Sequence, residues 1–474
     1  MATQSSRFEF DPGFEDDRLR VAWYAVVGVL VAVGAYATYL RITGGMATTN
    51  LTSVVPWGAW VAFYIYFVGL SAGAFLVSTM ANVFEVEGMH RIDRDALFAA
   101  IISMAVALLF VWIDLGRMDR MYFPFIWRQL TSALSWEVHA YVAYIGILTA
   151  ELYFSMRADL VRVANQRSGF RARIAGLLTL GRTDLSDQTV SADRTWLKRI
   201  GILGIPLAIF FVHGGTGILF AGVKARAYWN SGLFPVIFVI SALLSGTALV
   251  MAVYVLRRKL FEAKPVDLDL LDRLGQLLLA FVLVDAAFTA IEALIGVMSL
   301  EGAHLTAWMT IALGKMAWSF WGVMVGLGWV LPALLTSRRS WRRRPMMMVI
   351  AGLSVVVGVV AVRFNIVVPP LVNPVMAGLP AGDCLPTFTE WATSFGIVAV
   401  GLVSLALVHT STRDGAIIKA RVPARRRRPT RRRGRRRAGR DRPRRRRGCG
   451  RRRAVGRRSP KPTPRPSPPL RPRR

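Results

Sequence analysis

Ten apolar runs of about 20 residues follow one another along the chain, separated by shorter segments rich in Arg, Asp, Gly and Pro. They are Val21 to Leu40, Trp57 to Met80, Asp95 to Leu115, Ser135 to Ser155, Ile200 to Val223, Gly232 to Val255, Leu271 to Met298, Ala307 to Leu335, Met346 to Val368 and Trp391 to His409. A helix rising about 1.5 Å per residue needs about 20 residues to cross a hydrocarbon core of roughly 30 Å. Barrel strands would instead be runs of about ten residues with alternating polarity. The pattern therefore predicts an all-α, polytopic integral membrane helix bundle of about ten transmembrane helices. The first 20 residues are polar and acidic and no A-x-A-like site follows them, so residues 1–20 are expected to be a cytoplasmic N-terminal segment and not a cleaved signal. The transmembrane domain is expected over 21–410 and a basic, low-complexity tail over 411–474.

Composition agrees with the pattern: 54% of residues are hydrophobic and the mean hydropathy is +0.41. The formal charge of +33 would suggest nucleic acid, but residues 421–474 hold 26 Arg, one Lys and one Asp and so account for +26 of it. That stretch cannot bury a core and is expected to be disordered. It reads as a solvated tail, as an arm for RNA or anionic lipid, or as an out-of-frame translation of GC-rich DNA, and nucleic acid is not an expected partner. Lys and Arg in the loops set the orientation. With ten spans, 23 of them fall on the side of the N-terminus and six on the other. Both termini are therefore expected in the cytoplasm, with the protein multi-pass in the inner (cytoplasmic) membrane.

Sidedness turns the polar residues inside the spans into a depth map. Glu137 and His139 lie in the outer third of the fourth span, and His213 is roughly 20 Å up the fifth. Asp114 and Arg117 close the third span on that side, Arg363 and Asn365 lie near the outer end of the ninth, and Glu292 is well up the seventh. Asp285 is near the midplane, and Lys315 enters the eighth span from outside. An ionisable side chain at membrane depth costs roughly 2.5–3.5 kcal/mol on insertion scales, so these groups are expected to face a ligand, a proton path or one another.

The chain has two cysteines, Cys384 and Cys449, too few for an iron–sulfur cluster of its own, and no nucleotide-binding glycine motif. His139 and His213 could at most ligate one haem, and no H-x-x-x-H accompanies them for zinc. A quinone headgroup fits better. It needs an apolar slot, a donor at each carbonyl and a group that exchanges protons, for which His is suited. Glu137 and His139 are two residues apart, roughly 200° around a helix, so both are not expected to point the same way.

Several segments together carry a family resemblance: PWGAW with YIYFVGLSAGAFL (Pro56 to Leu76), DLGR (Asp114 to Arg117), SWEVHAY (Ser135 to Tyr141), HGGTGILFAGVKARAYW (His213 to Trp229), SALLSGTAL (Ser241 to Leu249) and RFNIVVPP (Arg363 to Pro370). From about Val21 to His409 the chain resembles the NrfD/PsrC (polysulfide reductase) family of membrane subunits. It is most similar to the ten-span branch that holds the hydrogenase-2 membrane subunit, DsrP and the larger NrfD-like subunits of alternative complex III. The resemblance implies two four-helix-like halves plus peripheral helices, without haem, binding menaquinone or ubiquinone near the outer face. It also implies an extracytoplasmic, ferredoxin-like iron–sulfur subunit and a catalytic subunit as partners. Carried over by residue, the quinone site falls on Glu137, His139, His213, Asp114 and Arg363, with His139 and His213 as contacts and Glu137 as their proton partner. Asp285, Glu292 and Lys315 are weaker candidates for a proton path.

Each assignment has a plainer alternative. Asp114 could pair with Arg117 at a helix end, Arg363 could snorkel to the interface, and Asp285, Glu292 and Lys315 could join helices as buried partners. Gly69 and Gly73 read as a close helix contact. Trp57, Trp60, Trp127, Trp136 and Trp229 read as an aromatic belt. The loop Tyr228 to Phe234 and the segment Pro369 to Glu390 are the expected docking face. Two functions of other classes compete: a proton-coupled secondary transporter, with charges at the midplane open to both sides, and a mono-haem cytochrome b.

Overall fold

A computed structural model describes residues 17–166, 169–261, 264–299, 301–376, 378–382 and 385–421. The Arg-rich stretch 422–474 with Cys449, and Cys384, lie outside the described residues. Nine helices among the described residues are long and apolar enough to cross a membrane. They are α1 (Asp17–Gly44), α2 (Ala59–Asn82), α3 (Asp93–Asp114), α5 (Asp187–Ala221), α6 (Phe234–Lys259), α7 (Leu268–Met298), α9 (Ser319–Ser337), α10 (Pro345–Val372) and α11 (Phe388–Arg421). The fourth expected span lies within α4 (Ala133–Gln166), a helix that carries Glu137, Glu151 and Arg157. All ten expected spans thus fall on helices, and no strand occurs among the described residues.

Packing follows the distribution of small residues. The central helix α2 is surrounded by α3, α5, α6 and α10. Its Gly73 lies against the carbonyl of Ala242 and against Gly246 on α6, so the two backbones touch. Gly328 of α9 meets Gly358 of α10 in the same way, and Gly34 of α1 meets Gly396 of α11. Close backbone approach of this kind drives helix association where no hydrophobic effect separates helix from lipid. Helices α2 to α5 form one half, α6, α7, α9 and α10 the other, and α1 with α11 pack as a pair along α3.

The structure corrects the reading of the eighth span. Ala307 to Leu335 is not one helix: a short helix α8 (Gly302–Leu313) stops at Gly314, whose extended backbone turns the chain before α9 begins. Trp321 closes the break by donating from Nε1 to the carbonyl of Ala312 at 2.9 Å. Lys315 sits in that break, exposed, and is not inside a helix with the other candidates. His304 is on α8 and buried.

Three stretches wind as π-helix: Leu207–His213 within α5, Arg257–Phe261, which begins in the last turn of α6 and runs past it, and Ser319–Val330 opening α9. The first begins directly after Pro206, which lacks the N–H needed for the ordinary helical bond. Wider turns of this kind are rare and recur at functional sites.

The aromatic belt is also narrower than expected. Trp127 and Trp136 are exposed, but Trp60 and Trp229 are fully buried and donate to the carbonyls of Glu390 and Ile366 at 3.3 and 2.7 Å. Tyr228, Trp229 and Phe234 are likewise buried, so the aromatic part of the expected docking loop is core.

Candidate functional site

Helix ends give the depth of each polar side chain without reference to sidedness. α2, α4, α6 and α11 start, and α1, α3, α5, α7 and α10 end, at one end of the bundle. At about 1.5 Å per residue, Glu390 and Asp114 lie at that end, Glu137 is roughly 6 Å in, Glu292 roughly 9 Å, His213 and Arg363 roughly 12–14 Å, and Asp285 roughly 20 Å.

His213 and Arg363 form the centre of this set. His213 ends the π-helical stretch of α5 and Arg363 lies on α10, both fully buried. Arg363 Nη2 lies 3.1 Å from His213 Nε2. A guanidinium has no acceptor, so Nε2 must accept and the imidazole must carry its proton on Nδ1. His213 Nδ1 and Arg363 Nε and Nη1 are all buried without a partner. The guanidinium stands 4.5 Å from the centroid of Phe238, a cation–π contact that holds its plane. Gly69 makes room for the imidazole, because a Cβ there would lie 2.9 Å from His213 Cε1 and 3.0 Å from Nε2. Arg363 does not snorkel: it faces inward. Gly69 and Gly73, expected to share one packing role, therefore divide it, Gly73 meeting backbone and Gly69 a ring.

This division makes a prediction. Gly73→Ala drives a methyl into the α6 backbone, which cannot yield, and lowers the melting temperature strongly, whereas Gly69→Ala displaces only a side chain. Overpacking costs about 1–3 kcal/mol where the surroundings adjust. Thermal melting of the purified protein is expected to rank Gly73→Ala well below Gly69→Ala.

Glu137 is one turn deeper into the bundle than the start of α4 and turns toward α5. Tyr141 donates to Glu137 Oε1 at 2.5 Å, and the hydroxyl of Thr216 reaches the same oxygen. Thr216 also lies 3.0 Å from the carbonyl of Val212. One hydroxyl proton cannot serve both acceptors. When Glu137 is ionised, Thr216 donates to it; when Glu137 is protonated, Thr216 donates to Val212 and accepts from Glu137. The carboxyl can thus take up or release a proton with only a hydroxyl rotation. Thr216 stands three residues after His213, on the same face of α5, so the two clusters adjoin. His139 goes elsewhere, as the two-residue spacing requires. Its Nδ1 lies 2.7 Å from the carbonyl of Ser135, and its ring packs 5.2 Å from that of Phe125 in a short helix before α4.

Asp114 ends α3 half-buried, its Oδ1 unpartnered. The pairing with Arg117 does not occur: Arg117 instead clasps Asp119 at 3.0 and 2.9 Å, and that bond holds the Asp119 carboxyl below its usual range. The cation acting on Asp114 is Arg41 of α1, fully buried, which donates to the carbonyl of Leu115 at 2.8 Å. Tyr64 of α2 is buried within electrostatic range of both Glu137 and Asp114.

In the other half, Asp285 Oδ2 accepts from Trp329 Nε1 at 3.0 Å, and its charge acts on Arg363. Glu292 accepts from Ser231 at 2.8 Å and stands 3.7 Å from His304 Nε2, beside a cavity of about 30 Å³ that Trp308 and Asn365 also line. Lys315 has no part in either group. Among the described residues, no three His, Cys, Asp or Glu side chains are grouped to hold a metal ion.

Sequence reasoning missed Tyr64, Tyr141, Thr216, Trp329 and Arg41. Tyr141 was recoverable, being four residues from Glu137 on one helical face. It also missed Glu151, fully buried on α4 with both oxygens unpartnered.

Comparison with known proteins places this architecture. Residues 47–374 match the family described as polysulphide reductase, NrfD. The chain is 38% identical to a selenate reductase subunit of Mesobacillus selenatarsenatis over 82% of its own length and 93% of that protein. It is 26% identical to the Hdr-like menaquinol oxidoreductase integral membrane subunit of Archaeoglobus fulgidus, over 80% and 90%. With the menaquinone reductase integral membrane subunit of Nitratidesulfovibrio vulgaris it shares 22% identity, over 82% and 90%. The segments around the His213–Arg363 pair and Glu137 all fall inside the matched region, and the chain belongs to the NrfD polysulphide reductase family.

Proposed function

We propose that this chain is the quinone-interacting membrane-anchor subunit of an oxidoreductase complex. It would exchange electrons between the membrane quinone pool and an iron–sulfur partner that serves a catalytic subunit. The observation that carries the reading is the set of buried, unpaired donors on His213 and Arg363 beside a carboxyl, Glu137, whose hydrogen bonds permit a proton to come and go. A quinone supplies two carbonyl acceptors and a two-electron, two-proton couple, the complement of such a set.

Each residue then has a defined task. Arg363 fixes the His213 tautomer, so that Nδ1–H is the donor presented to an acceptor oxygen. Tyr141 and Thr216 hold Glu137 at its Oε1 and leave Oε2 free for the second proton position. Asp114, with Arg41 as its counter-charge, and Tyr64 flank this set toward the bundle end. Menaquinone is favoured over ubiquinone by the names of the two menaquinone-linked relatives. The loop-charge asymmetry supports cytoplasmic termini in the inner membrane and an extracytoplasmic position for the end that bears the site. An iron–sulfur subunit would dock there, over the exposed residues of 374–382 and the ends of α2 and α4. The carboxyls Asp285 and Glu292 supply a second line of proton-exchanging groups, without Lys315.

A complex isolated from native membranes through a tag on this chain should contain an iron–sulfur protein whose cluster is reduced by menadiol or oxidised by menadione. Recovery of this chain alone, or a cluster that exchanges no electrons with either, contradicts the proposal.

A further inference from the structure

The segment between α4 and α5 carries an apolar surface that the redox site does not use. The helix Phe170–Leu178 packs on α4 through its small residues, Ala175 being buried and Gly176 lying against Ala164. Its large apolar residues point the other way. Phe170, Ile174, Leu177 and Leu178 recur at helical spacing along one stripe, and all four are exposed, Leu177 by 76%. The stripe ends at Leu180, exposed by 73% and held at φ 50°, where a residue other than Gly is strained. A soluble surface would bury such a stripe or replace it with polar residues.

Four contacts fix the level at which the stripe lies. Tyr153 is roughly 30 Å along α4, which is one hydrocarbon thickness, and its hydroxyl donates to the carbonyl of Thr179 at 3.0 Å. Phe154 stacks on Trp196 of α5 at 6.2 Å, with Arg182 5.9 Å from the Phe154 centroid. Arg94, at the start of α3, donates to the carbonyl of Ser155 at 2.7 Å. Aromatic rings and arginines in one layer mark a membrane–water boundary. Buried Arg157 pins the following turn by donating to the carbonyls of Arg182 and Asp184 at 3.1 and 2.7 Å and pairing with Asp193, so the stripe is held at that layer.

We propose that the helix Phe170–Leu178 and Leu180 lie in the headgroup region of the bilayer, at the face remote from the redox site. The exposed apolar stripe would enter the acyl boundary, and Arg173 and Arg182 would meet anionic phospholipid headgroups. The occupant is the lipid surface because the exposed apolar stripe, with Arg173 and Arg182 beside it, lies where α4 has run about one hydrocarbon thickness from its start.

The test uses the full chain with Cys384→Ser and Cys449→Ser, carrying a single cysteine at Leu178, Leu180 or, as an aqueous control, Gln188. Each variant is labelled with an environment-sensitive fluorophore and reconstituted in phosphatidylcholine vesicles with and without phosphatidylglycerol. Labels at 178 and 180 should be quenched by chain-nitroxide lipids about threefold more than the label at 188, and protected from iodide. Phosphatidylglycerol should increase that quenching, and Arg173→Gln with Arg182→Gln should remove the increase. Equal quenching at all three sites overturns the proposal, as does protection that arises only when a partner protein is added. Indifference to phosphatidylglycerol overturns the assignment of the two arginines.

Discussion

Arg363→Met is expected to lower quinone-linked turnover of the assembled complex by about 10²-fold or more, the order seen when one aligned charge-stabilising donor is removed. The guanidinium fixes the His213 tautomer at 3.1 Å and presents two further nitrogens that no protein group satisfies. Methionine fills similar volume but supplies neither charge nor donor. Stability should fall too. Removing one member of a buried charged set leaves the other uncompensated, at a cost of about 3–5 kcal/mol, and here the group left is Asp285, fully buried with only Trp329 on one oxygen. Arg363→Met with Asp285→Asn should therefore melt higher than Arg363→Met alone while regaining no turnover. Melting in detergent beside turnover separates the two effects. A single variant as stable and as active as the parent would mean that Arg363 merely fills space.

Glu137→Gln is the second large effect. The amide oxygen can still accept from Tyr141, and the shape is unchanged, so folding should be affected by only about 1 kcal/mol. The amide cannot deliver a proton. Loss of a positioned acid–base group costs about 10²–10⁴-fold, and turnover should fall into that range with little change in the quinone concentration needed for half-maximal rate. Tyr141→Phe keeps the carboxyl and removes one hydrogen bond, and should cost far less. If Glu137→Gln turns over like the parent, the carboxyl is a structural tie between α4 and α5 only.

The fold was legible because lipid imposes a simple rule on sequence: about 20 apolar residues for each crossing. Where that rule is insensitive, the reading failed. Ala307 to Leu335 is apolar throughout, so hydropathy could not see that Gly314 breaks it. Nor could it see that Pro206 opens a π-helical stretch ending at His213. The site was legible as a set of expensive residues and only partly as an arrangement. The spacing of Glu137 and His139 correctly indicated divergent faces, and the structure shows Glu137 toward Thr216 and His139 toward Ser135 and Phe125. Pairings across helices carry no local signal. The Arg363–His213 bond joins residues 150 apart in sequence. Arg41, on the first helix, supplies the counter-charge to Asp114, although the adjacent Arg117 is nearer in sequence and pairs with Asp119.

On the proposed function, a quinone ring enters the bundle at the end that bears His213, Arg363 and Glu137. Photolabelling of the assembled complex with an azido-menaquinone, followed by peptide mapping, tests this directly. The expected adducts lie on α2 between Ala59 and Leu76, on α4 between Ser135 and Tyr144, or on α5 near His213, and an excess of unmodified menaquinone should suppress them. Adducts confined to α8 and α9 around Trp308, or labelling that menaquinone does not compete, would contradict it.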